Sequence, residues 1–151
     1  LHVRSREMVQ LFLFNEKLRI YEDLNFMQMY KYSKKQRFIN LTVVNRERDR
    51  SDSVTKEMIL RNSNAIKSQC EYLKQMIYLF EFDYKKNNVL KLNSMINRCL
   101  ILSLALSNYS YYEYLSKKFN KSSLASKVIY KMNLGSLLKY LIITYSWIKH
   151  L

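Results

Sequence analysis

Residues 55–84 read TKEMILRNSNAIKSQCEYLKQMIYLFEFDY, and their period decides the fold class. Met58, Ile59, Ile66, Tyr72, Leu73, Met76, Ile77 and Phe80 fall mostly three, four or seven apart, the spacing of one apolar helix face. The stretch predicts one or two helices, opening near Asp52 or Ser53 with Lys56-Glu57 in the first turn. Lys85-Lys86-Asn87-Asn88 breaks the pattern. Toward the N-terminus, Met8–Tyr32 repeats Leu11, Phe14, Leu18, Tyr21 and Leu24 or Asn25 at helical spacing. A basic patch, residues 31–37, follows it. Phe38–Val44 is rich in β-branched residues and reads as a short strand or extended arm. Asn45–Ser53 is the most polar stretch and the best connector. Toward the C-terminus, Leu100–Leu106 is strongly apolar. Leu124–Ile148 carries Val128, Ile129, Met132, Leu137, Leu138, Leu141, Ile142 and Tyr145. In that block Lys127, Lys131 and Lys139 are spaced by four and eight, which predicts one shared face.

Composition narrows the class. The chain of 151 residues has Gly 1, Pro 0 and 48% hydrophobic residues. That length suits one domain with extensions, and that apolar share suits a packed core. One glycine leaves no phosphate-cradling loop, dinucleotide fingerprint or glycine-turned hairpin. Without proline little in the sequence stops a helix. The expectation is a mainly α protein: helices with extended basic segments, ordered fully within an RNA–protein assembly. Residues 1–90 would form a helical N-terminal extension or divergent region and residues 91–151 the RNA-binding region.

The charge is large and lopsided. Lys and Arg number 26 against 12 acids, a net charge of +14. From residue 85 onward there are 11 bases and one acid, Glu113. Such an excess repels itself in a compact state and is suited to a polyanion, either nucleic acid or an anionic membrane surface. The abundance of Tyr, Asn, Lys, Ile, Phe and Leu also reads as the trace of an A/T-rich gene, such as one encoded by an organelle. Many Tyr and Asn positions are therefore expected to reflect codon bias.

Sites of chemistry are not evident. Cys70 and Cys99 stand in no metal-ligand spacing, His2 and His150 sit at the two ends, and buried free thiols are the expectation. Asp49, Asp52 and Glu57 read as a solvated loop. Glu71, Glu81 and Asp83 beside Lys74 and Lys85 read as helix-surface ion pairs. The reading is a non-enzyme with no metal and no cofactor. No signal peptide is visible in Leu1–Glu7, and early acids argue against a presequence. No apolar run reaches the length needed to cross a bilayer. The constructive signal is basic residues among aromatics: Tyr109, Tyr111, Tyr112, Tyr114, Lys117, Lys118, Phe119, Lys121, Lys127, Tyr130 and Lys131. Lysines neutralise phosphates and aromatics can stack on unpaired bases. Packing would account for most of the tyrosines. It accounts less well for Lys117, Lys118 and Lys121, which have no acid close by in sequence.

At Asn97-Arg98-Cys99 the chain shows the tripeptide of the zinc-free small-subunit ribosomal protein fourteen family. Lys91–Ser94 upstream, Lys118-Phe119, Ser122, Lys127, Tyr130-Lys131, Gly135, Lys139 and Ser146-Trp147 follow the family's order. Residues 91–147 thus resemble a divergent mitochondrial member of that family. The family's glycine- and arginine-rich loop is replaced here by Ala105–Ser110, and the arginine expected after Ser122 is Ser123. The resemblance implies a structural constituent of the mitochondrial small ribosomal subunit, binding rRNA in the head beside ribosomal proteins three, ten and nineteen. It implies phosphate contacts from Arg98, Lys117, Lys118, Lys121, Lys127 and Lys131, with Lys139 in the same basic set and Trp147 packing on RNA or a neighbouring protein.

The alternative is an accessory structural subunit of a large organellar, respiratory complex. Two further rivals are a peripheral membrane protein using the basic C-terminal helix and an RNA-processing enzyme with an unrecognised site. The ribosomal reading expects the isolated chain to fold poorly or aggregate.

Overall fold

A computed structural model of the chain describes residues 22–32 and 62–149. The chain divides into compact units at residues 1–56 and 57–151. Of the first, the structure describes α1 (Glu22–Tyr32), with Leu24 and Met29 buried. The second holds α2 (Ser63–Asn87), α3 (Val89–Ala105), α4 (Tyr109–Phe119), α5 (Leu124–Lys131) and α6 (Gly135–Lys149). No strand occurs among the described residues, and the mainly α expectation holds there. The extended arm at 38–44, the connector at 45–53 and most of the basic patch lie outside the described residues.

The deciding stretch becomes a single helix over its described part. The side chains of Ile66, Leu73, Met76, Ile77 and Phe80 are at most 5% exposed. They pack on α3, which presents Leu92, Met95, Ile96, Cys99 and Leu102. The α2–α3 hairpin spans residue 90. α3 is the hub: it touches α2, α4, α5 and α6. Cys70 and Cys99 are free and buried between α2 and α3. The contact with Cys70 and burial push the Cys99 thiol far above its ordinary value. Cys70 Sγ lies 3.6 Å from Ser103 Oγ, which donates to the Cys99 carbonyl.

Asparagine and serine supply the helix ends that glycine and proline do not. Asn62, Asn88 and Asn108 cap helix starts, their side chains accepting from the amides of Ala65, Lys91 and Tyr111. Asn88 alone separates α2 from α3, closing one and opening the other. Ser107, Asn120 and Asn133 have φ of 54°, 49° and 55°, the left-handed region seen where helices stop. At the end of α5, the amides of Asn133 and Leu134 donate to the carbonyls of Tyr130 and Ile129. The same doubled closure follows α3, through Ser107 and Asn108, and α4, through Asn120 and Lys121. Asparagine tolerates this backbone because its short polar side chain can hydrogen-bond locally, which offsets the cost of placing Cβ near the following carbonyl.

Asn133 also corrects the reading of Leu124–Ile148 as one block. The chain turns there, so Lys139 lies on α6 and does not share a face with Lys127 and Lys131 on α5. Asn133→Val should lower stability by about 1–2 kcal/mol, because a β-branched side chain is strained at positive φ. Asn133→Gly should leave stability equal or higher. Urea unfolding of the three proteins checks the order.

Candidate functional site

The basic residues gather mainly around the C-terminal ends of α2 and α4 and along α5. Lys85 and Lys86 occupy the last turn of α2, and Lys117 and Lys118 that of α4. Positive charge is favourable at both positions because a helix C-terminus carries partial negative charge. Glu81 ties the two ends together. Its carboxylate lies 2.7 Å from Lys85 Nζ and 2.5 Å from Lys118 Nζ. Both ammoniums also stand near the Phe119 ring, at 5.7 and 5.2 Å from its centroid.

The Lys118 contact changes the sequence argument. Glu81 is 37 residues earlier in the chain, so an acid absent in sequence is adjacent in space. Lys117 approaches Glu113 at 3.7 Å with its own side chain 81% exposed, a geometry worth little in water. Lys121 is half-buried, while Lys127 and Lys131 are exposed on α5. Arg98 is exposed on α3, and its Nε donates to Gln69 Oε1 at 3.1 Å. Lys139 is half-buried on α6 and Trp147 is 48% exposed. The site residues are therefore not one patch. Lys117 and Lys118 share a helix end, and Lys127 and Lys131 share a helix face. Arg98 and Lys139 belong to other helices. Lys85, which joins Lys118 through Glu81, was not among the sequence candidates; its i,i+4 partner had marked it as an ordinary ion pair.

Most of the tyrosines of α4 and α5 are turned toward neighbouring helices. Tyr112 is 3% exposed, and its hydroxyl donates to Ser126 Oγ at 3.0 Å. Its ring stacks on Tyr130 with centroids 5.3 Å apart. Tyr109 meets the same Tyr130 ring edge-on at 5.7 Å. The Tyr130 hydroxyl donates to the Glu113 carboxylate. Lys74 covers the Tyr111 ring at 4.4 Å. Of the four tyrosines in α4 only Tyr114, 55% exposed, is open. These rings join α4 to α5 and offer few free faces to bases. Ser123 and Ser126 form a reciprocal capping box that starts α5 beneath them. The α4–α5 surface thus presents ammoniums and few open ring faces.

Burial pushes the Glu81 carboxyl up, but hydrogen bonds and charge from Lys118 and Lys85 outweigh it and leave it below the ordinary value. A depressed carboxyl contributes stability above its unfolded pKa of about 4.3 and loses it as pH falls through the folded value. Glu81→Gln should therefore lower stability by about 0.5–1 kcal/mol at neutral pH. The difference from the parent protein should shrink as pH drops below about 4. Urea midpoints across that range measure it.

Among the described residues, no group of three or more His, Cys, Asp or Glu side chains could hold a metal ion. No described helix is long and apolar enough to cross a membrane. A scan against protein-family models finds no match, and searches of the curated proteins and of the solved structures return none.

Proposed function

We propose that the chain is a non-enzymatic, RNA-binding structural subunit of the mitochondrial small ribosomal subunit. The observation that carries the reading is the exposed lysine pair of α5, Lys127 and Lys131, with Lys117 and Lys121 before it in a sequence that from residue 85 onward has one carboxylate, Glu113. The charge of Lys127 and Lys131 is available to an external polyanion, while Tyr130 between them stacks on Tyr112 and packs α5 on α4. Binding would then be electrostatic: ammoniums replace counterions on rRNA phosphates, and no bond is made or broken. The ordered motifs from Asn97 to Trp147 make the small-subunit head the expected location.

The test is binding of the purified full chain to structured rRNA fragments as salt is raised. Contacts from four lysines should give a log–log slope of about −3 or steeper. A slope near zero would contradict the proposal. The exposed, uncharged side of α6 favours a second reading, an accessory subunit of a respiratory complex. In that case association would survive RNase.

A further inference from the structure

We infer that the outward face of α5 and α6 docks on an anionic lipid surface. α6 turns Gly135 and Ser146 into the bundle and half-buries Leu138 and Ile142 on the same side. Leu137, Leu141 and Ile148 lie opposite, 52%, 54% and 67% exposed. At 3.6 residues per turn these three fall within about 40° of one another. Exposed Tyr140 and Tyr145 flank them on either side. α5 exposes apolar residues of its own, Leu124 and Val128, with Met132 just past its end, all at least half exposed. Isolated exposed apolar residues are ordinary; the row along α6 marks an interface.

Charge selects the occupant. From Leu124 to Lys149 there is no Asp or Glu, while Lys127 and Lys131 rise from α5 and Lys149 ends α6. A second copy docked on this face would bring lysines to lysines with no carboxylate between them. rRNA, the proposed partner of the same lysines, leaves the aliphatic row in water, so RNA and lipid would compete for Lys127 and Lys131. An anionic bilayer meets both: aliphatic side chains enter the acyl boundary, phenols sit at headgroup level and ammoniums reach lipid phosphates. The α6 helix, roughly 22 Å long, lies along such a surface while its inner side stays on the bundle.

The experiment is flotation of the nuclease-treated full chain with vesicles of phosphatidylcholine alone, or mixed equally with phosphatidylglycerol. The chain should float with the mixed vesicles and not with the neutral ones. Leu141→Asp with Ile148→Asp changes only exposed positions, and should reduce the bound fraction by roughly tenfold or more. Lys127→Gln and Lys131→Gln should each weaken binding by about fivefold. Circular dichroism and the thermal midpoint of each variant establish that it is folded. The Leu141→Asp, Ile148→Asp protein should retain the parent's RNA affinity, which separates this surface from the RNA proposal. Absence of vesicle binding, equal binding to neutral vesicles, or binding indifferent to the two aspartates would overturn the inference.

Discussion

Gly135→Ala should lower stability by about 2–3 kcal/mol. For a unit of this size that is a fall of roughly 10–20 °C in the thermal midpoint. Alanine within a helix normally stabilises relative to glycine by up to about 1 kcal/mol, so the expected sign is opposite to propensity. The reason is contact. A Cβ at Gly135 would overlap the carbonyl oxygen of Leu104 and come within 2.8 Å of Ser107 Oγ and 2.9 Å of the Tyr109 hydroxyl. The Leu104 carbonyl belongs to the hub helix and cannot rotate away as a side chain could. The start of α6 would have to lift from α3. Ser136→Ala, at the exposed neighbouring position, should stay within about 0.5 kcal/mol of the parent. Equal midpoints for the two variants would mean that α6 does not rest on α3 as described.

The largest functional effect is expected from the lysines of α4 and α5. Replacing Lys117, Lys121, Lys127 and Lys131 together with glutamine removes four phosphate contacts. The salt slope of RNA binding should become shallower by about three units, and affinity should fall by about two to three orders of magnitude at moderate salt. Lys67→Gln, on an exposed part of α2, should change neither by more than a small fraction of that. An unchanged slope in the fourfold variant would remove these lysines from the interface. The thermal midpoint should hardly move, because the ion pair made by Lys117 is exposed and weak.

The helical class was legible because Ile66, Leu73, Ile77 and Phe80 repeat where a helix must bury them, with no glycine or proline to interrupt. Helix ends were not. Asn88, Asn120 and Asn133 stop the helices, yet in a chain rich in asparagine nothing marks these from others until their backbone is seen. That is why Lys139 was joined to Lys127 and Lys131. The pairing of Lys118 with Glu81 was hidden for a different reason: the partners meet only when the α2–α3 hairpin brings the end of α2 against α4. The inward turn of Tyr112 and Tyr130 was half legible. Helical spacing pointed to packing, while the adjacent lysines pointed to RNA, and the structure stacks the two rings between α4 and α5. Gly135 stood out as the single glycine, but the close approach that requires it depends on α3 and α6 crossing.

The central proposal, that this chain is an RNA-bound ribosomal constituent, is tested most directly by sedimentation of a detergent-cleared mitochondrial lysate with and without RNase. The account predicts co-migration of the chain with the small ribosomal subunit, abolished by RNase. Migration with a protein complex that RNase does not disturb would contradict it.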